Sequence, residues 1–282
     1  MTPFVQRSDA VTGLRTLADA SVDAIVSDPP YAEVDRDYGR LTETQWRDLM
    51  DGVIAEARRV LKPRGSAVWI LQPNSERLGR MRPWLFRFIA DMCESWNVVQ
   101  DVWWWNASMP PTAHSQRTVG LMRPSVKACV WTGAPECYRD QESVLWAASD
   151  AMAAEERAAR VRVFLPSGHS VNRAAIFDTV RERGGTTPFN LLPVPNSNSH
   201  DSAGSMGHGA GTPYPLAAWW VRYLCPIDGL VVDPFAGSGT MGRAALDQGR
   251  RWWGCDSDPR WERPDGLTEP PQPQLFGSRR VA

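Results

Sequence analysis

Asp28, Pro29, Pro30 and Tyr31 combine residue types that can do chemistry within four positions. A carboxylate accepts hydrogen bonds, and an aromatic ring three positions later offers a flat apolar face. The two prolines each fix φ and lack an N–H, so they stiffen the loop between acid and ring. Such a loop suits a planar group with an amine on its edge: Asp28 takes the edge and Tyr31 the face. Taken alone, the tetrapeptide could also be a strand end with a capping Asp and a surface Tyr. A second cluster, Asp233-Pro234-Phe235-Ala236-Gly237-Ser238-Gly239-Thr240, weighs against that plain reading. It repeats the acid-proline-aromatic order and adds a turn in which Gly237 and Gly239 let a ligand approach the backbone.

Both acids end apolar runs. Val22-Asp23-Ala24-Ile25-Val26 and Leu230-Val231-Val232 read as buried parallel strands. In open α/β sheets ligands bind at the carboxyl ends of the strands, so the two loops can face one crevice. After the first loop, residues 32–41 read as a mobile polar loop beside the site. Thr42 and Gln45 then have the spacing of a capping box. Trp46, Leu49, Met50, Val53, Ile54, Ala57, Val60 and Leu61 recur at helical spacing, which predicts a helix over 43–61. Lys62-Pro63-Arg64-Gly65 ends it, and Ala67–Leu71 reads as the next strand, parallel to the first across a right-handed crossover. The second loop opens a similar unit: a helix over 239–248, then a strand over 251–255. That strand ends at Asp256, where an acid can bind ribose hydroxyls.

The remaining pattern supplies flanking elements. A short strand is expected at Phe4-Val5, followed by an amphipathic stretch through Val11, Leu14 and Leu17. A helix is expected over 75–92, strands over 98–105 and 127–131, and helices over 147–160, 170–183 and 213–225. The segment 184–212 is irregular and rich in Gly, Ser, Asn and Pro, and the Pro-rich end of the chain reads as disordered. Trp103-Trp104-Trp105 invites a base-stacking reading. Strand alternation puts Trp103 and Trp105 on one face, and core packing is expected on at least one side.

Composition bounds the function. The chain of 282 residues, 43% hydrophobic and 22% charged with net charge −1, has room for one large α/β domain with an insertion, or for two domains. The charge total does not demand a polyanionic partner, so a nucleic-acid partner would need a local basic face. Positive charge is nearly all Arg; Lys62 and Lys127 are the two lysines. Cys93, Cys129, Cys137, Cys225 and Cys255 form no C-x-x-C pair, and the four histidines show no ligand spacing with them. No structural metal is expected, and the compartment reads as reducing and cytoplasmic. No apolar run reaches membrane-spanning length, so no membrane association is expected.

The two clusters together resemble the catalytic and cofactor motifs of S-adenosylmethionine-dependent DNA amino-methyltransferases. Their order, catalytic first and cofactor last, resembles the β class. Ala18–Asp23, Lys62–Gly65 and Gly254-Cys255-Asp256 agree with it, and the resemblance covers about residues 8–72 and 212–260. It implies a Rossmann-like class I methyltransferase fold, a mostly parallel sheet with helices on both faces and an inserted recognition region. It implies that Asp28 and the Pro29 carbonyl accept hydrogen bonds from the target amine, that Pro30 shapes the loop, and that Tyr31 stacks on a flipped base. By the same resemblance Asp233, Phe235, Ala236, Gly237, Ser238, Gly239, Thr240 and Asp256 hold the cofactor. The family's segment before the last helix is replaced here by Gly209–Pro215, and Thr212 and Pro213 are mapped as cofactor neighbours.

The expected activity is site-specific methylation of adenine N6 in DNA, with cytosine N4 as the alternative. A catalytically silent DNA-binding relative and a nicotinamide-dependent oxidoreductase are the rivals from other classes. Gly237, Gly239 and Gly242 fit a dinucleotide fingerprint, though that pattern is weak and oxidoreductase catalytic residues are missing. The chain divides into a catalytic part (1–105), a target-recognition region with a mobile loop (106–212), a cofactor part (213–260) and a disordered tail (261–282). Arg117, Arg123 and Lys127 are the candidates for DNA contacts, with solvated surface charge as the even alternative. Double-stranded DNA is the expected partner, and a homodimer stays open. Gln272-Pro273-Gln274-Leu275-Phe276 resembles peptides that dock on bacterial sliding clamps. No nuclease motif is visible, so any restriction activity would belong to another chain.

Overall fold

The computed structural model describes residues 3–36, 39–106, 108, 120–122, 124–147, 163–164, 170–171, 173–196 and 211–262. In chain order its elements are β1 (Gln6–Arg7), α1 (Ala10–Arg15), β2 (Val22–Ser27), α2 (Glu43–Val60), β3 (Leu61–Leu71), β4 (Ser75–Arg77) and β5 (Arg80–Met81). Then come α3 (Trp84–Ser95), β6 (Val98–Trp105), β7 (Val126–Gly133), β8 (Val163–Phe164), β9 (Ser170–Val171), α4 (Arg173–Arg183) and β10 (Leu191–Pro193). The last elements are α5 (Tyr214–Leu224), β11 (Leu230–Asp233), α6 (Thr240–Asp247) and β12 (Arg251–Asp256).

One sheet of eight strands organises the chain, in the order β1-β12-β11-β2-β3-β7-β6-β10. From β1 to β3 every neighbour is parallel; β7 runs antiparallel to both β3 and β6. The two acid-ended strands β2 and β11 are direct neighbours, with Val231 opposite Ala24 and Val232 opposite Ile25. That adjacency brings the two loops of the sequence reading together at the carboxyl ends of the parallel strands.

Each face of the sheet is covered by its own apolar cluster. On one side α2 and α3 bury Trp46, Met50, Val53, Trp84 and Phe88 against Ile25 and Trp69. On the other, α5 and α6 bury Trp220, Leu224 and Ala244 against Val26, Val68 and Trp131. β2 is buried from both sides, which explains its mostly apolar run. Thr42 and Gln45 form both halves of the expected capping box, which fixes where α2 starts.

Several elements differ from expectation. The helix predicted over 75–92 is a hairpin, β4 and β5, followed by α3 from Trp84. Gly79 turns the hairpin at φ +80, and Pro83 then starts the helix. The loop 32–41, read as mobile, is pinned in its described part. Glu33 donates its N–H to the Leu41 carbonyl at 2.7 Å, and its side chain accepts from Arg40 at 2.6 Å. The short strand expected at Phe4-Val5 forms two residues later as β1, and a three-residue strand, β10, lies within the irregular 184–212. Of the tryptophan triplet, Trp104 is buried while Trp105 is 41% exposed and Trp103 lies between, so one face of β6 serves the core. The helix expected over 147–160 and the tail beyond 262 lie outside the described residues.

Candidate active site

Asp28 follows β2 directly, where the prolines end the ladder. The stiff loop is held from below by α2, whose Trp46 Nε1 donates to the Pro30 carbonyl at 2.7 Å. Asn74, beyond β3, donates to the Ala32 carbonyl at 2.6 Å and accepts from Trp84 Nε1 at 3.2 Å. The loop is therefore clamped on both sides of Tyr31.

The Asp28 carboxylate gathers three partners. Tyr31 Oη donates to Oδ1 at 2.5 Å, and Thr212 Oγ1 donates to Oδ2 at 2.9 Å. Lys127 Nζ stands 3.6 Å from Oδ2 and donates to Tyr31 Oη at 2.9 Å. The Asp28 side chain is 17% exposed and that of Lys127 13%. Lys127 thus points into the site, at the amino end of β7, and not outward onto a surface. Thr212, mapped from sequence beside the cofactor, is bonded to the carboxylate of the first loop, and Pro213 follows it as the N-cap of α5. Arg117 and Arg123 lie outside the described residues, as does the Gln272–Phe276 segment.

The second loop starts one strand away. Asp233 is buried, and its Oδ1 accepts from Ser27 Oγ at 2.5 Å and from the Phe235 N–H at 3.0 Å. The chain then turns through Gly237 at φ +48 and Gly239 at φ +80 into α6. Asp256, at the end of β12, accepts from the Gly237 N–H at 2.9 Å through Oδ2 and from the Asp258 N–H at 2.9 Å through Oδ1. Ser238 and Thr240 hydroxyls lie 3.2 Å apart at the start of α6, and Ala236 donates its N–H to the Cys255 carbonyl at 2.9 Å. Phe235, Gly237 and Asp256 therefore ring one short turn.

Burial pushes the Asp233 carboxyl up to about 7. The Ser27 and Phe235 donors work the other way, and the charges of Asp256 and Asp28 raise it further. Among the described residues no group of three or more His, Cys, Asp or Glu side chains could hold a metal ion. No helix among them is long and apolar enough to cross a membrane.

A doubly covered, mostly parallel sheet with two such loops on adjacent strands defines a Rossmann-like class I methyltransferase. The model of the DNA methylase family N6_N4_Mtase matches residues 22–263, and the chain belongs to that family. It is a DNA amino-methyltransferase whose cofactor is S-adenosyl-L-methionine. It is 26% identical to the type II methyltransferase M.PvuII of Proteus hauseri over 274 residues, 90% of this chain and 79% of that one. The solved PvuII DNA methyltransferase, cytosine-N4-specific, superposes with a TM-score of 0.64 at 22% identity, covering 92% of this chain and 85% of that one. A DNA modification methylase of Thermus thermophilus, TTHA0409, complexed with S-adenosyl-L-methionine, superposes with a TM-score of 0.53 at 21% identity, covering 91% and 90%.

The residues present suit that cofactor. It carries a sulfonium and an ammonium, and two acids, Asp233 and Asp256, bond the backbone of the Phe235–Gly237 turn. Its adenosine needs a ring, a hydroxyl acceptor and an open backbone turn, which Phe235, Asp256 and Gly237 supply in type.

Proposed function

We propose that this chain methylates N6 of adenine in double-stranded DNA, acting on a base flipped out of the helix. The observation that carries the reading is the Asp28 carboxylate, held at the end of β2 within hydrogen-bond reach of Tyr31 and Thr212. An exocyclic amine is a poor nucleophile because its lone pair is delocalised into the ring. Asp28 and the Pro29 carbonyl accept its two N–H bonds and draw the lone pair back onto nitrogen. Pro30 fixes the distance to Tyr31, whose ring stacks on the base. A base inside a duplex cannot reach this pair, so it must leave the stack.

The cofactor supplies an activated methyl group on sulfur. Asp233, Phe235, Ala236, Gly237, Ser238, Gly239, Thr240 and Asp256 line its place, with Thr212 and Pro213 bridging to Asp28. The chain's task is then to aim the amine along the line of the methyl–sulfur bond, and positioning supplies most of the rate. The new N–C bond would form as the methyl–sulfur bond breaks, its electron pair staying on sulfur, and the amine's surplus proton would leave to solvent by way of Asp28, which faces that N–H. Within 106–212, β7 and β10 belong to the central sheet and Lys127 and Thr212 to the site; the rest is assigned to target recognition, with Arg117 and Arg123 as DNA contacts.

Cytosine N4 is the second reading, favoured by one observation: the PvuII enzyme, similar over nine-tenths of this chain, is cytosine-N4-specific. Both bases present an amine beside a ring nitrogen. A carboxylate at the head of the first loop favours adenine.

Single-molecule sequencing of plasmid DNA from a methylation-deficient host expressing the chain tests this. N6-methyladenine at one short motif is the expected result. N4-methylcytosine keeps the mechanism and moves the base. Unmodified DNA with intact cofactor binding removes the reading.

A further inference from the structure

Lys127 is the second of two lysines in a chain whose other cations are arginines. Lys62 bonds Asp23 near the start of β2, at 2.8 Å to each carboxylate oxygen. Lys127 meets Asp28 just past its end. Nearly buried lysines persist only where charge and hydrogen-bond partners surround them. Three surround this one. Its Nζ donates to Tyr31 Oη at 2.9 Å, stands 3.6 Å from Asp28 Oδ2 and lies 4.6 Å from the centre of the Trp104 ring. An ammonium has three N–H donors in a compact head, matching a phenol oxygen, a carboxylate and a π face. Trp104 stands directly across the β6–β7 ladder from Lys127 and is itself fixed by its Nε1 bond to the Val194 carbonyl at 2.8 Å.

The Tyr31 hydroxyl completes a triangle: it accepts from Lys127 and donates to Asp28. Neither the acid nor the ring can turn without breaking a bond to the cation or to each other. We propose that Lys127 is a positioning residue of the methylating site. It locks the Asp28 carboxylate and the Tyr31 ring in one mutual arrangement, so that acceptor and stacking face reach the base together. This rests on the roles given above to Asp28 and Tyr31. Methyl transfer moves positive charge from sulfur onto the amine nitrogen, and an uncompensated cation nearby would oppose it. Beside Asp28 the ammonium is compensated, so it orders the pair without adding net charge.

The test uses the full chain, its sequenced target DNA and three variants. Lys127→Met keeps the stem and removes the donors. It is expected to lower kcat about 10- to 100-fold, the range that a misplaced reacting group costs. Cofactor affinity should stay within about threefold, and the slope of DNA affinity against salt should not change, because no phosphate contact is lost. Lys127→Arg restores charge and donors and should recover part of kcat, not all, because a planar fork replaces a compact head. Tyr31→Phe removes the shared hydroxyl, so adding Lys127→Met to it should cost less than Lys127→Met alone. Wild-type kcat in Lys127→Met overturns the proposal. So does a salt slope reduced by about one with kcat retained, which would mark a phosphate contact. Loss of cofactor binding together with kcat also overturns it, as the mark of a packing role. Wild-type protein that methylates no DNA base sinks the functional reading itself, before any variant is made.

Discussion

Ser27 Oγ lies 2.5 Å from Asp233 Oδ1, a bond between side chains 206 positions apart. It joins the end of β2 to the end of β11, and so ties the residue before Asp28 to the first residue of the cofactor loop. It is a buried contact between the two halves of the site. Removing the hydroxyl leaves a buried carboxyl short of a donor, which costs about 1–3 kcal/mol. Ser27→Ala should therefore lose that much in denaturant unfolding and also lose kcat, since Asp28 is the next residue. Full stability in Ser27→Ala would show that the bond contributes nothing.

The burial of Asp233 carries a pH signature. Its carboxyl rises from an ordinary 3.8 to about 7, chiefly through burial. Between those values the folded chain keeps a proton that the unfolded chain has released. Stability contributed by this group is thus present below about 4, falls as pH rises to about 7 and levels above it. Asp233→Asn does not titrate. The melting-temperature difference, variant minus wild type, should grow from about pH 4 to about pH 7 and then stay constant. A difference independent of pH would contradict the assignment.

Asp28→Ala separates chemistry from cofactor binding. Asp28 is bonded to Tyr31 and Thr212, and its ion-pair partner is Lys127; none of the three belongs to the Gly237–Gly239 turn. The variant should lose methylation by at least about 100-fold, the usual scale for a lost positioning or charge-stabilising group. Its S-adenosylmethionine affinity, read by calorimetric titration, should stay near wild type. Methylation at the wild-type rate would refute the role given to Asp28.

The sequence shows the core of this site because strand and loop chemistry coincide there. Val22–Val26 and Leu230–Val232 are mostly apolar, as doubly covered parallel strands must be, and proline marks where each ladder stops. The pairing of β2 with β11 is less legible, since no local pattern names a strand's neighbour. Ser75–Met81 reads as helix in the sequence because its apolar residues are few and the helical residues after Pro83 dominate the window; Gly79 is the turn signal that separates the two. Lys127 is legible in principle. A lysine at the start of the apolar strand Ala128–Trp131 needs an internal partner, and an acid at the end of another strand of the sheet is the one to seek. Thr212 gives no such signal, because its bond to Asp28 spans 184 positions.

Gly239 and Gly249 offer a paired test of the cofactor turn. Both hold left-handed φ, +80 and +71, which costs a side-chain-bearing residue about 1–2 kcal/mol. At Gly249 an added methyl would meet nothing within 4 Å. At Gly239 it would stand 2.7 Å from Pro3 Cγ, at the mouth of the turn leading into α6. Gly249→Ala should therefore lose the conformational cost alone and bind S-adenosylmethionine as wild type does. Gly239→Ala should lose more stability than Gly249→Ala, because Pro3 must move as well. Its cofactor affinity should also fall, since Gly237 and Gly239 shape the backbone against which the cofactor is proposed to lie. Melting curves and calorimetric titration of the two variants read both effects. Equal cofactor affinity in the two would mean that the Gly237–Gly239 turn shapes the fold and not the cofactor site.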